Sequence, residues 1–515
     1  MSKTLNPLAR PSTVGELRSS LVQGGMWLTF SRVTVNVLGV ISTFALARLL
    51  LPHDFGVVAN AWTILALLSS VIDMPVGLAL IHIRKPTPEH IDTAWTLGLL
   101  RGLLIIIALC LVASPAASFF AEPALREIIL VLGLGVLLSC LASPTRSLAQ
   151  RGLSFRLELI IEIGAKFSTV FASIAIAWFY RSYWALVWGA VAGQAATLII
   201  GYVMAPYRPR FCLTRTKDLW SFSAWLTLSQ CMATVNWRFD QIMIARLLGP
   251  VELGIYSVGD NLAQIPTRET TQPLLKVLFP GFSALRNGPS QLRAGYQRAQ
   301  GMLTTLVLPL GAGLALIAEP AIRLGMGDKW LPATFVVQML AAIYSLQTLG
   351  SLAQPLALSQ GTTRTIFARD LQQFAFRLPL IMSGLILGGL KGVVIARVAT
   401  GFIAVFLNMR VVHSVIGLPI LEQIKASARP IISAAVMVLT VLSVRTLWLQ
   451  SGSSMDLCID IALSTAAGAM AYLASLTILW SCNRSPNGPE REILQMICTA
   501  VRRYRPIRAI RNGET

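Results

Sequence analysis

Charge is what this sequence has least of: Asp, Glu, Lys and Arg make up 13% of its 515 residues, about half the share of an average soluble domain. With 55% of residues apolar and a mean hydropathy of +0.66, too little polar surface remains to cover a soluble globule of this size. An ordinary cytosolic enzyme is thereby excluded, and lipid is the expected solvent for most of the chain. Histidine is scarce too. His53, His82, His90 and His413 stand apart, without an H-E-x-x-H pairing, so no metal site is expected from them. The seven cysteines form no C-x-x-C pair, which argues against a disulfide framework and against zinc. P-loop, dinucleotide and nucleophile motifs are absent, and no cofactor is implied. A membrane glycosyltransferase or polymerase would need a large outer loop bearing catalytic acids, whereas here the outer loops are short and Asp456 and Asp460 stand alone near a helix end. Catalysis is therefore not expected.

The charge that is present is lopsided, with 43 Lys and Arg against 23 Asp and Glu. These basic residues punctuate long apolar runs instead of mixing with other polar residues, so they read as a topology signal and not as a nucleic-acid surface. A spanning helix needs about 20 mostly apolar residues, and fourteen such stretches follow one another: 22–47, 57–83, 93–118, 127–143, 158–180, 184–205, 220–247, 252–283, 301–320, 333–357, 370–389, 392–415, 430–449 and 457–481. The expected fold is an all-α polytopic membrane protein of 14 transmembrane helices. If the N-terminus is cytoplasmic, 27 of the 43 basic residues fall on the cytoplasmic side and only eight in the opposite loops, which satisfies the positive-inside rule. Both termini are then cytoplasmic. A cleavable signal is rejected, because the first stretch is too long and is interrupted by Arg32 and Asn36. The ends read as interfacial: Thr13 and Glu16 form a capping box. In the tail, Ile493, Met496, Ile497 and Ala500 share a helical face before a run of arginines suited to anionic lipids, a disordered basic tail being the alternative.

The sequence also repeats itself. Trp27-Leu28-Thr29-Phe30-Ser31 recurs as Trp225-Leu226-Thr227-Leu228-Ser229, and at the same shift of 198 residues Ala47-Arg48-Leu49-Leu50-Leu51-Pro52-His53-Asp54-Phe55-Gly56 meets Ala245-Arg246-Leu247-Leu248-Gly249-Pro250-Val251-Glu252-Leu253-Gly254. Similarity of apolar helices explains the leucines but not Trp, Arg, Pro and Gly staying in step. A looser agreement links the basic loops 146–156 and 364–369. Six spans return each copy to the same side, so helices 1–6 (22–205) and 7–12 (220–415) form two parallel copies. The expected organisation is a cytoplasmic segment 1–21, an N-lobe 22–205, a basic linker 206–219, a C-lobe 220–415, two further helices over 430–481 and a basic tail 482–515.

The repeated Ala-Arg-Leu-Leu-x-Pro pattern closing on Gly, together with Asp73-Met74-Pro75-Val76-Gly77 after the second span and Asn236, Asp240, Gly254-Ile255-Tyr256 and Leu278-Phe279-Pro280 in the second copy, resembles the polysaccharide flippases of the multidrug/oligosaccharidyl-lipid/polysaccharide (MOP) exporter superfamily. The resemblance implies two pseudo-symmetric six-helix lobes around a central cavity, plus two C-terminal helices, in a bacterial inner membrane. It implies that the lobes rock in alternating access to carry a polyprenyl-pyrophosphate-linked glycan from the inner to the outer leaflet, for exopolysaccharide, capsule or O-antigen synthesis. Membrane lipids, a polysaccharide polymerase and export machinery are the implied partners, and nucleic acid is not. A peptidoglycan-precursor flippase shares the span number and the cationic cavity. A drug or cation exporter of the superfamily usually has twelve spans and a cavity that attracts cations, which fits this chain less well.

Ionisable side chains inside spans cost at least about 2.5 kcal/mol each and usually face a cavity or a partner. The basic ones are Arg32, Arg101, Lys166, Arg238, Arg268, Lys276, Arg377 and Arg397, against Asp73, Glu162, Asp240, Asp260 and Glu269. A wet cavity lined by these groups is net cationic and suits a pyrophosphate, which arginine can grip with two parallel hydrogen bonds. Arg32, Arg101, Arg238, Arg268, Glu269, Arg377 and Arg397 are the expected cavity residues, with buried interhelical ion pairs as the alternative. Asp240 and Asp260 are candidates for ion coupling. Asp73, Lys166 and Lys276 lie toward inner ends, where Glu162 and Lys166 have the spacing of an intrahelical pair and the others can snorkel. Arg238 and Asp240, two residues apart, point to different sides of their helix and cannot neutralise each other, so one or both should meet a partner on another helix or water. Pro266, Pro273 and Pro280 in span eight suggest a kinked gate or a static irregular helix. Trp27 and Trp225 read as interface anchors, and Gly189-x-x-x-Gly193 and Gly384-x-x-x-Gly388 as close helix contacts.

Overall fold

The computed structural model describes residues 32, 34–72, 87–144, 155–216, 224–284, 288–447 and 454–482. The Thr13 and Glu16 capping box, Trp27, Asp73, the 146–154 loop and the tail helix lie outside the described residues, as do the side chains of Trp225 and Lys276. Regular structure among the described residues is helical throughout. The first six helices are α1 (Thr34–Leu49), α2 (Pro52–Ile72), α3 (Pro88–Phe119), α4 (Ala124–Cys140), α5 (Phe155–Tyr180) and α6 (Trp184–Met204). They are followed by α7 (Ala224–Leu247), α8 (Pro250–Ala284), α9 (Pro289–Met326), α10 (Ala333–Gln347), α11 (Ala353–Ser359), α12 (Thr363–Ile416), α13 (Ile420–Ala426), α14 (Ala428–Leu447) and α15 (Ser454–Cys482). Nine helices among the described residues are long and apolar enough to cross a membrane, and the chain is a multi-pass membrane protein. The tenth expected span, 333–357, is α10 and α11 joined by a 3-10 turn at Thr348–Gly350. α8 runs unbroken through Pro266, Pro273 and Pro280.

α12 holds two spans. As a straight rod its 54 residues would be about 81 Å long, far beyond the roughly 30 Å hydrocarbon core. The backbone leaves helical values at Gly388 (φ −143°, ψ 15°) and Gly389 (φ 54°, ψ −135°), and a positive φ with that ψ is glycine territory. Arg369 on the first arm donates from Nη1 to Asn408 Oδ1 on the second at 2.8 Å, which requires the chain to double back. A Cβ on Gly384 would lie 2.4 Å from the Gly392 carbonyl oxygen, and one on Gly392 would lie 1.9 Å from the Gly384 carbonyl oxygen. The Gly384-x-x-x-Gly388 pair is thus split between an arm contact and a turn and does not form one packing face. The second arm ends on Gly417 in the left-handed region (φ 65°), and Arg293 Nε donates to the Ile416 carbonyl at 2.6 Å, satisfying a terminal acceptor.

Packing divides the chain into two compact units, residues 1–257 with 325–329, and 258–324 with 330–515. Lobe boundaries drawn from the repeat express sequence symmetry, whereas packing groups α7 and the start of α8 with α1–α6. In the first unit Val57, Leu65, Ile105, Leu109, Ile128 and Leu132 bring α2, α3 and α4 together as a buried core. α5 and α6 close on the Gly189-x-x-x-Gly193 face, where added Cβ atoms would meet Ser173 Oγ at 1.7 Å and Thr169 Oγ1 at 2.0 Å. The basic linker folds onto the start of α3: Tyr207 donates to Asp92 at 2.6 Å, the Cys212 amide to Thr96 at 3.0 Å and Arg215 to Glu89 at 3.2 Å. Burial and the Asp92 carboxylate push the Tyr207 hydroxyl well above its ordinary pKa, so it remains a donor.

In the second unit α14 and α15 are pinned to α9. Arg445 forks onto Asp460, with Nη2 to Oδ2 at 2.5 Å and Nε to Oδ1 at 3.1 Å, while its Nη1 donates to the Leu316 carbonyl at 2.7 Å. Tyr472 donates to the Thr305 carbonyl at 2.8 Å. Asp460 as an acid standing alone is therefore corrected. Arg445 and Asp460 sit fifteen residues apart, on different helices, where sequence spacing gives no signal. Removing one partner of such a pair costs about 3–5 kcal/mol, whereas replacing both by apolar groups is often neutral. Asp460→Leu should lower the melting temperature in detergent markedly, and Arg445→Met with Asp460→Leu should recover most of the loss.

Candidate translocation site

Hydrocarbon offers no hydrogen bonds, so polar side chains in spans must find partners inside the protein or in a wet cavity. In the first unit they gather where α2 meets α7. Thr63, 1% exposed, donates to Gln241 Oε1 at 2.8 Å, and Arg238 Nη1 donates to the same oxygen at 2.7 Å. Gln241 is itself buried and so connects a cation on α7 to a hydroxyl on α2. Asp240, 1% exposed, accepts from Tyr256 on α8 at 3.0 Å. Arg238 and Asp240 thus each bond to a separate polar side chain, in keeping with their two-residue spacing. Asn60 and Asn236 are buried in the same helices.

The second unit holds a denser cluster. Tyr344 on α10 donates to Asp260 Oδ1 at 2.5 Å, Gln264 donates to Asp260 Oδ2 at 2.9 Å, and Arg397 Nη2 donates to the Tyr344 oxygen at 3.0 Å. The Arg397 guanidinium also lies 5.7 Å from the centre of the Tyr344 ring, within cation–π range. The phenol therefore bridges a carboxylate and a guanidinium. Arg377, on the other arm of α12, is 1% exposed and near enough to act electrostatically on Tyr344. The cluster thus joins a carboxylate, a phenol and a guanidinium from three helices, with the Arg377 guanidinium within electrostatic reach.

The remaining expected residues are more scattered. Arg268 and Glu269 pair with each other at 2.9 Å, with side chains 51% and 23% exposed, so Arg268 is not the deeply buried charge that its central position in span eight suggests. Arg101 is half-buried on α3, and Arg32 is half-buried ahead of α1. Lys166 lies against α1, its ε-carbon and ammonium each 3.5 Å from where a Gly39 Cβ would stand. Sequence reasoning missed Thr63, Gln241, Gln264 and Tyr344. Gln241 and Gln264 carry a local signal, three residues after Arg238 and four after Asp260, but Tyr344 and Thr63 come from other helices. Among the described residues no three His, Cys, Asp or Glu side chains group as metal ligands would.

A family model described as "Polysaccharide biosynthesis protein" matches residues 45–335. Similar curated proteins include the lipopolysaccharide biosynthesis protein WzxC of Escherichia coli, 24% identical over 73% of this chain and 77% of its own length. The succinoglycan biosynthesis transport protein ExoT of Rhizobium meliloti is 23% identical over 93% of this chain and 95% of its own. The teichuronic acid biosynthesis protein TuaB of Bacillus subtilis is 25% identical over 89% and 95%. Among solved structures, the lipid II flippase MurJ in an inward closed conformation superposes with a TM-score of 0.69 at 14% identity, over 89% of this chain and 99% of that one. An inward-facing multidrug resistance MATE transporter of the MOP superfamily gives 0.57 at 11% identity, over 75% and 98%. The fold is that of the MurJ and MATE transporters of the MOP superfamily, and among the curated relatives ExoT is named a transport protein.

The phenol bridge makes a specific prediction. Tyr344→Phe keeps the ring and deletes the hydroxyl that bonds both Asp260 and Arg397, so each of these buried charged groups loses a hydrogen bond. A loss of about 1–3 kcal/mol is expected, seen as a lower melting temperature in detergent, whereas Ser383→Ala on an exposed stretch of α12 should melt like the parent.

Proposed function

The chain belongs to the polysaccharide biosynthesis protein family, and from that premise we propose that it is a flippase moving a polyprenyl-pyrophosphate-linked oligosaccharide repeat unit from the inner to the outer leaflet of a bacterial inner membrane. The observation that carries this reading is the presence of two buried guanidiniums, Arg377 and Arg397, in a helical transporter fold. A pyrophosphate is the part of the cargo least soluble in lipid, and the planar fork of arginine matches its oxygens. The family match supplies the glycan, since composition and geometry speak only to the anion. Both termini face the cytoplasm, and the prenyl tail stays in lipid while the head group passes between the two copies of the repeat.

In this scheme Arg32, Arg101, Arg238, Arg268, Arg377 and Arg397 supply the cationic path, with Glu269 tempering Arg268. Asp240 and Asp260 act as coupling carboxylates, and Asp73, Lys166 and Lys276 serve the inner end. The membrane potential contributes about 2.3 kcal/mol per elementary charge per 100 mV, enough to bias a charged site or cargo. The polymerase and export machinery that receive the glycan are the partners on the outer side. A peptidoglycan-precursor flippase is the second reading, favoured by the likeness of fold to MurJ. It predicts a cell-wall defect instead of a lost surface polymer.

Deletion of the gene should make a complete, inward-facing lipid-linked repeat unit accumulate while one surface glycan disappears. Accumulation of truncated intermediates would mean an assembly enzyme instead, and no change in any glycan would contradict the proposal. In the complemented strain, Arg32→Gln with Arg268→Gln should restore the accumulation at normal protein levels. Full export by that double variant would remove these two arginines from the cationic path.

A further inference from the structure

The internal repeat has a counterpart in contact. At the shift of 198 residues Pro52 corresponds to Pro250 and Gly56 to Gly254, and in the structure these four residues meet one another. A Cβ on Gly56 would fall 1.7 Å from the Pro250 carbonyl oxygen and 3.0 Å from the Gly254 amide nitrogen, and a Cβ on Gly254 would fall 1.8 Å from the Pro52 carbonyl oxygen and 3.0 Å from the Gly56 amide nitrogen. Two sets of distances that match so closely describe a reciprocal contact about a local two-fold axis. The first turns of α2 and α8, both in the first unit, touch backbone to backbone, with each glycine Cα–H facing the carbonyl of the opposite proline. Both glycines are buried. Each proline opens its helix, where the missing N–H costs nothing and the fixed φ sets the direction of the first turn.

The same corner carries a second tie. Lys329, in the linker after α9, donates to the Arg48 carbonyl at 2.9 Å and to the Leu50 carbonyl at 2.7 Å, while Arg48 Nε donates to the Gly325 carbonyl at 2.9 Å. The tie is one-sided. Arg246, the repeat partner of Arg48, instead lies over the Phe119 ring, 5.2 Å from its centre. The linker clasp therefore reinforces one half of a contact that is otherwise symmetric.

We propose that the Gly56/Gly254 contact, clasped by Lys329, is a latch that holds the α2 and α8 ends together in the resting state and must part for that end of the pathway to open. The role rests on the flippase reading and its topology, in which this end faces outward. The latch depends on the absence of two side chains: any Cβ at either glycine occupies the place of a carbonyl oxygen, so the closed contact is penalised while the parted state is untouched.

Genetically encoded spin-label amino acids at Leu51 and Val251, which are 59% and 46% exposed, report the separation of the two helix ends in proteoliposomes. The parent should give one short distance. Gly56→Ala and Gly254→Ala should each raise the ratio of a longer to the shorter population by about tenfold or more, and Gly201→Ala, whose Cβ meets nothing within 4 Å, should not. A Gly254→Ala protein that melts like the parent and keeps the parent distance would overturn the latch. Should the alanine variants fail to fold, Lys329→Met removes the clasp without adding bulk at the contact. It should lengthen the distance, and an unchanged distance would again overturn the proposal. The distances are read without cargo, so they succeed or fail independently of what the protein transports.

Discussion

The constraint on which the rest of this structure depends is that hydrocarbon cannot solvate a polar group. Every backbone amide and carbonyl in a span has to be satisfied by its own helix, and this gives an all-helical protein. Every side-chain charge has to be satisfied by another helix or by water, and this places charges where helices converge. The Arg445 and Asp460 fork, the bridge from Asp260 through Tyr344 to Arg397, and the Thr63, Gln241 and Arg238 chain are three solutions to one problem. They differ in arrangement. The fork pairs one charge of each sign and ties α14 and α15 to the bundle, whereas the Tyr344 cluster sets a phenol between its carboxylate and its guanidinium.

A protein that must rearrange within lipid has to separate its parts without stranding polar groups. Backbone contacts between glycines meet that requirement, because the helices on either side already satisfy their own hydrogen bonds and parting exposes little beyond Cα–H groups. Small residues drive helix association in membranes for the same reason. The tight α5 and α6 face and the folded-back arms of α12 use this contact as permanent packing. The turns at Gly56 and Gly254 use it between two symmetry-related helices, where a reversible contact has a function.

Much of this was legible in the sequence. Hydropathy and length located the passes, and the 198-residue repeat identified the two copies. Pro52, Gly56, Pro250 and Gly254 stood out as residues kept in step for reasons other than hydrophobicity. The sequence could not reveal who meets whom. Tyr344 looks like one more aromatic in an apolar run, and its role depends on α8, α10 and α12 converging at one level of the bundle. Asp460 and Arg445 looked unrelated because nothing in a chain marks which faces of two neighbouring helices will oppose each other. Arg268 looked deep by position, yet its side chain is half exposed beside Glu269, because depth along a helix does not specify the direction in which a residue points.

The central claim is that this bundle moves an anionic lipid-linked glycan across a membrane without altering it. Its most direct test is reconstitution of the purified protein into liposomes loaded with a prenyl-pyrophosphate-linked oligosaccharide carrying a terminal sugar that an impermeant oxidising enzyme can modify from outside. The account predicts that the protected inner-leaflet pool becomes accessible at a protein-dependent rate, with the recovered glycan otherwise unchanged in mass. Accessibility no faster than in protein-free liposomes, or a glycan lengthened or cleaved by the protein, would contradict it.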